Sequence, residues 1–206
     1  MPVSLQRVRR VRKAKHVFPD ADRGDYWRRL LADVARRSRN EYPKVWPEER
    51  NVSRYAEALG LRRKDLLTTL KKQIDRQGNI AVLDMGAGQG FFLKTLKKLF
   101  GEKITTVGLS LKRPRSTNGI DELRIQLAER PSYKKSFDFV FSIHLLEYSR
   151  EPGEVVKNIC RALKVGGIAY IRSSFTSSIY QHLAKVGLIK IIHLNPDGVV
   201  IFERRR

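Results

Sequence analysis

The chain has little cysteine and no long apolar run. Cys160 is the single cysteine among 206 residues, which excludes internal disulfides and zinc sites built from several thiolates. Cys160 lies in a helical pattern of apolar residues, which favours a packing role over that of a nucleophile. No stretch approaches the ~20 apolar residues of a membrane-spanning helix, and the N-terminus lacks the apolar segment of a secretory signal. We therefore expect a soluble, cytoplasmic protein.

Acidic residues are also scarce. The sequence has 21 Asp and Glu against 42 Lys and Arg, which gives a formal net charge of +21. A field of that sign raises the local concentration of polyanions and speeds their capture. The excess extends through every section of the chain, which favours RNA or a ribonucleoprotein as the partner. The alternative is a basic surface that only keeps the protein in solution.

The N-terminal part is predicted to contain two segments. Residues 1–21 form a basic flexible arm, because residues 1–19 hold six Lys and Arg and no acid. An organelle transit segment has the same composition, so an organelle matrix stays open as the location. Residues 22–77 are predicted to form a helical extension. In it, basic and aromatic residues interleave over 26–46, as in a base-stacking surface or, more commonly, a cap on a core.

The end of this extension has the signals of a helix. Ser53 is the predicted N-cap of a helical stretch that runs to about Ile74 and is interrupted near Gly60. After Gln77 the pattern changes to strands.

Strand patterns alternate with helix patterns over residues 78–206, which we expect to form one domain. Strands are predicted at 80–85, 104–109, 123–127, 137–143, 168–172, 188–194 and 199–203, and helices at 91–100, 154–163 (closed by Gly166-Gly167) and 178–186. The alternation predicts an α/β fold: a Rossmann-like, doubly wound and mostly parallel sheet of seven strands. Its last two strands are expected to form an antiparallel hairpin.

A glycine-rich loop follows the first strand of this domain. Asp84 and Met85 end the strand, and Gly86, Gly88 and Gly90 alternate before an amphipathic helix. Glycines let the backbone turn sharply at the carboxyl end of a strand and let a ligand approach the main chain. A dinucleotide fingerprint has its third glycine one position later, where this chain has phenylalanine.

The spacing G-x-G-x-G behind Asp84 resembles the first motif of class I S-adenosylmethionine-dependent methyltransferases. Residues 136–148 are similar to that family's fourth strand and its "LEH"-type turn. Residues 154–167 are similar to its next helix and "R-x-L-K-P-G-G" turn, with Val165 where proline is usual. The resemblance covers residues 78–203, including the final hairpin, and residues 1–77 have no such match.

The resemblance implies S-adenosylmethionine as the cofactor and a place for each part of it. The backbone of Gly86, Ala87, Gly88 and Gly90 would hold the methionine part, and Asp84 would accept a hydrogen bond from its amino group.

The other implied contacts follow later strands. Ala128 and Glu129 would lie beside the adenine, and Ile143 would line the mouth near the methyl group. Ser110 stands where the family usually has the Asp or Glu that holds the ribose hydroxyls. A hydroxyl is a weaker acceptor than a carboxylate, so we expect modest cofactor affinity unless another group substitutes.

Methyl transfer needs alignment and desolvation more than a dedicated catalytic side chain. His144 is the candidate general base, because the pKa of a free imidazole lies near working pH; it is also interpretable as a residue that only shapes the pocket. The chain lacks the Asn/Asp-Pro-Pro-Tyr/Phe turn of nucleobase amino methylation, and Cys160 lies on the wrong element for attack on a pyrimidine carbon. No metal site is predicted.

Three functions stay open from the sequence. The charge favours methyl transfer to RNA, ribosomal or transfer RNA being the expected acceptors. The "LEH"-type turn favours a small-molecule methyltransferase of the quinone or metabolite kind. A non-catalytic ribonucleoprotein assembly factor is the third, and the intact glycine loop counts against it.

Overall fold

The computed structural model describes residues 50–111, 113–131, 137–173 and 178–206. The predicted basic arm, the aromatic-rich part of the extension and its other residues before 50 lie outside the described residues. Within the described ranges, no helix has the length and apolar character needed to cross a membrane.

Helices and strands alternate along the described chain and are numbered here in chain order. The helices are α1 (Val52–Ala58), α2 (Arg63–Gln77), α3 (Phe91–Phe100), α4 (Pro152–Ala162) and α5 (Ser178–Lys185), with short 3₁₀ turns at Gly101–Lys103 and Leu146–Tyr148. The strands are β1 (Ile80–Met85), β2 (Ile104–Ser110), β3 (Glu122–Ile125), β4 (Phe137–Ile143), β5 (Leu163–Arg172), β6 (Ile189–Leu194) and β7 (Val199–Arg204).

All seven strands join one sheet in the order β3-β2-β1-β4-β5-β7-β6. The strands β1 to β5 are parallel to one another, and β7 is antiparallel to both β5 and β6. The predicted fold class is therefore confirmed, including the antiparallel C-terminal hairpin. Because the five parallel strands run the same way, their carboxyl ends lie on a single edge, where open α/β sheets bind ligands.

Helices cover both faces of the sheet, which explains why every residue of β4 is buried. On one face α1, α2 and α3 pack in a single apolar cluster with side chains such as Val82, Phe139 and Phe141. On the other face α4 and α5 pack against Leu83, Val140 and other residues. The described part of the helical extension thus shares a core with the sheet. The division of the chain at residue 78 remains a prediction.

Two local predictions are wrong. Asn51, not Ser53, caps α1: its side-chain oxygen accepts from the amides of Ser53 and Arg54 at 3.0 and 3.3 Å. Both residue types suit an N-cap, and the extended backbone at Asn51 decides between them.

Gly166-Gly167 does not close the fourth helix, which ends at Ala162 and leads directly into β5. The register against β4 shifts here, from Phe137 opposite Leu163 to Phe139 opposite Ile168, so the glycines lie in a bulge. A Cβ on Gly167 would lie only 2.9 Å from the carbonyl oxygen of Phe137. Close strand packing, rather than helix termination, explains that glycine.

Candidate active site at the carboxyl edge of the sheet

The residues implied by the resemblance lie at or just beyond the carboxyl ends of β1 to β4. Asp84 in β1 pairs with Gly108 in β2 and with Phe141 in β4. Ser110 and Ile143 are the last residues of their strands, and the glycine loop, the 128–129 segment and His144 follow strands β1, β3 and β4. The topology therefore gathers along one edge the residues that the sequence placed at the cofactor.

The glycine loop is attached to the neighbouring strand. The amides of Gly86 and Ala87 both donate to the carbonyl oxygen of Leu109 in β2, at 2.8 and 2.9 Å. The amide of Gly90 donates to the carbonyl of Ala87 at 2.8 Å. Three of the five loop amides thus donate hydrogen bonds within the protein. The remaining two amides are those of Gly88 and Gln89, at the tip of the loop.

The loop needs its glycines for different reasons. Gly86, Gly88 and Gly90 have φ values of 91°, 54° and 72°, in the region that favours glycine. A Cβ on Gly90 would collide with Ile120, whereas a Cβ on Gly88 would have no neighbour within 4 Å. The space over Gly88 is open, as a backbone approached by a ligand requires.

Asp84 is a buried carboxylate beneath this loop. The hydroxyl of Tyr55 in α1 donates to its Oδ2 at 2.8 Å, while its buried Oδ1 has no hydrogen-bond partner. Burial raises the pKa of Asp84 to about 7, against the opposing effects of the Tyr55 hydrogen bond and the positive charge of Arg50. The site therefore holds a carboxylate that a cationic donor would stabilise in its charged form.

A series of packed aromatic rings begins at Tyr55, the residue that donates to Asp84. Tyr55 stacks on Phe92 with ring centroids 4.0 Å apart, Phe92 meets Phe141 edge-on at 4.7 Å, and Phe141 stacks on Tyr170 at 5.0 Å. Contacts of this kind add to area burial and join α1, α3, β4 and β5 beneath the loop.

The segment after β3 is fixed by α4. Asn158 is buried, and its side-chain amide donates to the carbonyl oxygens of Ala128 and Glu129, both at 3.0 Å. The carboxylate of Glu129 accepts from the Ser149 hydroxyl at 2.6 Å and from the Arg150 amide at 3.2 Å. Glu129 thus ties this segment to the turn before α4. Ser110, at the end of β2, is also buried.

His144 follows β4 with an unusual backbone. Its φ of 55° is the one positive value at a non-glycine residue in the part of the chain described here. Its amide donates to the carbonyl of Arg172 in β5 at 2.7 Å, and its Nδ1 lies 3.3 Å from Oε1 of Glu147. Backbone strain of this kind tends to be kept at functional sites.

An open cleft lies beside the site, towards the sheet edge. Arg113, Thr117, Ile120, Asp121, Leu123 and Ile125 line it. None of the residues implied by the resemblance lines this cleft. Among these residues, Asp121 accepts from the amide and hydroxyl of Thr106 and forms an ion pair with Lys97 at 2.8 Å, and that arrangement stabilises the β2–β3 edge.

Sequence reasoning missed two residues that shape the site. Tyr55 lies in α1, where the sequence pattern indicates only an apolar helix position, yet its hydroxyl donates to a carboxylate 29 residues away. Asn158 has a weak sequence signal, because it is a polar residue within a helix that is otherwise apolar on its inner face.

A comparison with protein families identifies the family to which the residues at the carboxyl edge of the sheet belong. A model of the family described as "Methyltransferase domain" matches residues 83–171, a range that begins in β1 and ends in β5 and that includes the glycine loop. The matched part of the chain is a methyltransferase domain. The resemblance inferred from the sequence motifs is confirmed.

Curated relatives of this methyltransferase domain include two O-methyltransferases. Malonyl-[acyl-carrier protein] O-methyltransferase of Buchnera aphidicola is 28% identical over 116 residues, which are 54% of this chain and 47% of that protein. Ubiquinone biosynthesis O-methyltransferase of Caulobacter vibrioides is 24% identical over 128 residues, which are 58% of this chain and 50% of that protein. The chain spans about half the length of these relatives.

A solved structure shares the fold of the methyltransferase domain. The N-methyltransferase NodS from Bradyrhizobium japonicum, solved with S-adenosyl-L-homocysteine, has a TM-score of 0.53 at 12% identity, with 86% of this chain and 99% of that chain covered. At this identity the likeness shows the fold alone.

The buried carboxylate of the methyltransferase domain makes stability depend on pH. The pKa of Asp84 is raised from 3.8 to about 7 in the folded state, so its contribution to stability is greatest at low pH and is lost as pH rises towards 7. Relative to Asp84→Asn, the wild-type free energy of unfolding should fall by about 3 kcal/mol between pH 5 and pH 8. Urea unfolding of both proteins at the two pH values measures this; parallel pH profiles would contradict it.

The backbone of His144 gives a second prediction. A left-handed conformation costs a residue with a Cβ about 1 kcal/mol relative to glycine. His144→Gly should therefore be more stable than His144→Ala by about that amount, although both lose the imidazole. Thermal or urea unfolding of the two variants compares them directly, and a more stable alanine variant would show that φ is not positive here in solution.

Proposed function

We propose that the protein transfers a methyl group from S-adenosylmethionine to an oxygen of a small acceptor molecule. The observation that carries the cofactor part is the tip of the glycine loop. Open space over Gly88 lies in the same loop region as a buried carboxylate oxygen of Asp84 that lacks a partner. A cationic amino group at that oxygen would meet its missing hydrogen bond, so the residues present fit the cofactor.

We assign the remaining predicted residues the following roles in this proposal. The amides of Gly88 and Gln89 would bind the methionine carboxylate, and Asp84 its amino group. Ser110 would accept from the ribose, and the segment at Ala128 and Glu129 would lie against the adenine. Because Asn158 fixes both carbonyls of that segment, the adenine surface would be formed before the cofactor arrives, which lowers the ordering cost of binding.

The acceptor would be activated beside Ile143 and His144. When bound, the cofactor supplies a methyl group on a positively charged sulfur, open to in-line attack. The Nδ1 of His144 faces the Glu147 carboxylate, which favours the tautomer with its proton on Nδ1. Nε2 then carries the lone pair with which a general base removes the proton of an acceptor hydroxyl. Because His144 is half-buried, its side chain would also help to exclude water from the site of methyl transfer.

The curated relatives favour a small acceptor, since the two described above are named as O-methyltransferases of ubiquinone biosynthesis and of malonyl-[acyl-carrier protein]. RNA is the second candidate, and the formal charge of +21 favours it. Net charge indicates association with polyanions in general, whereas the names of the relatives indicate the type of group that is methylated. We therefore place the small acceptor first.

The cofactor assignment is tested at Gly88. Gly88→Val would fill the space over the loop, and cofactor affinity should fall at least about tenfold. Gly101→Val is the matched control: its φ of 57° is close to the 54° of Gly88, and a Cβ there also meets nothing within 4 Å. Calorimetry with S-adenosylhomocysteine should show normal binding by the control. Unchanged binding by a folded Gly88→Val protein would refute the assignment.

The acceptor class is tested by following the methyl group. The protein is incubated with methyl-labelled S-adenosylmethionine and either total RNA or an RNA-free extract of small metabolites. Label is expected in the small-molecule fraction. Transfer to RNA, accompanied by RNA binding whose affinity falls steeply with salt, would replace the small acceptor with the second candidate and leave the cofactor assignment intact.

A further inference from the structure

We infer that Arg172 binds an anionic group, a carboxylate or a phosphate, on the methyl acceptor. This inference rests on the proposed methyl transfer and adds to it the charge of the substrate. Arg172 was not among the residues that the sequence motifs indicated.

Arg172 lies at the acceptor side of the site. It is the last residue of β5 and stands opposite Ile143 in the parallel register of β4 and β5. Its carbonyl accepts the amide of His144 at 2.7 Å. Adjacent strands are about 4.8 Å apart, so the backbone of Arg172 borders the two residues proposed to contact the acceptor.

The strand pattern determines the face on which Arg172 lies. Side chains alternate along a strand: Ile171 belongs to the core beneath α4 and α5, whereas Tyr170 packs on Phe141 on the face of α1 and α2. Arg172 therefore shares the face of Tyr170. On that face Arg50 donates from Nη1 to the carbonyl of Ile143 at 3.3 Å. The guanidinium of Arg50 thus lies beside Ile143, and Arg172 stands opposite Ile143 on the neighbouring strand.

The side chain of Arg172 is half-buried, and it makes no ion pair or hydrogen bond within the described ranges. Arginine elsewhere in this chain behaves differently when buried: Arg204 donates to the carbonyls of Leu163 and Arg161 at 2.6 and 3.4 Å. A guanidinium carries five donors in a planar fork that matches a carboxylate or phosphate. Arg172 carries this fork at the carboxyl end of β5, the edge where the acceptor would enter.

An anion held by Arg172 would have two effects on the reaction. It would place the acceptor beside Ile143 and His144 in one orientation, since a bidentate pair fixes angle as well as distance. It would also select against neutral molecules of similar shape, because they would leave the guanidinium without a partner. Arg172 is therefore a specificity residue in this proposal, and His144 is the catalytic one.

The test measures anion binding by the full-length protein with acetate, malonate and inorganic phosphate as probes, with and without S-adenosylhomocysteine. Saturable binding is expected for wild type, and its preference between carboxylates and phosphate identifies the group. Arg172→Gln should weaken anion binding at least about tenfold, and Arg172→Lys less, because charge is kept but the fork is lost. S-adenosylhomocysteine affinity should stay unchanged in both variants.

Arg76→Gln is the matched control. Arg76 is exposed near the end of α2, close in sequence to the start of β1 and so at the opposite edge of the sheet, and its loss removes the same charge. Equal anion binding by Arg172→Gln and wild type, equal losses in Arg172→Gln and Arg76→Gln, or no saturable binding by wild type would each overturn the inference. Failure of wild type to bind S-adenosylhomocysteine would instead count against the proposed function, and the anion titration without it still tests Arg172.

Discussion

One carbonyl oxygen, that of Leu109, fixes the geometry of the candidate site by accepting two successive amides of the glycine loop. The bond pair requires the loop to lie close against β2, and Gly108 makes this possible, because a Cβ there would approach Leu123, Ala87 and Leu93 within 2.9 to 3.3 Å. With the loop fixed, its tip is the part of the backbone that remains available to a ligand, and α3 starts in a defined direction behind it.

The helices that precede the sheet complete the site. Among the residues that the structure describes, Tyr55 in α1 is the one that donates to the side chain of Asp84, and the ring of Tyr55 stacks on Phe92 at the start of α3. Residues outside the part of the chain with family resemblance thus contribute to the surroundings of the carboxylate at its centre. This explains how a segment without recognisable motifs contributes to the site: its role depends on one hydroxyl and on apolar packing, and neither leaves a motif.

Much of the fold followed from sequence periodicity. The strand at 137–143 was predicted with its observed bounds because a strand covered on both faces is apolar throughout. The glycine loop was found because its residue types serve a local backbone turn. The prediction for Gly166-Gly167 was wrong because glycine pairs occur both at helix ends and in β-bulges. The pairing of β5 with β4 determines which of the two structures forms. The positions of Arg172 and Tyr55 depend on strand register and helix packing, which contacts distant in sequence determine.

Asp84 makes the candidate site a proton exchanger as well as a binding site. Near neutral pH the buried carboxyl is about half protonated in the free protein, since its pKa is about 7. An ammonium group placed against it would lower that pKa, so that occupancy of the site displaces a proton into solvent. The heat of binding would then vary with the ionisation enthalpy of the buffer near pH 6. The burial of one carboxyl group thereby couples ligand binding to proton release into the solvent.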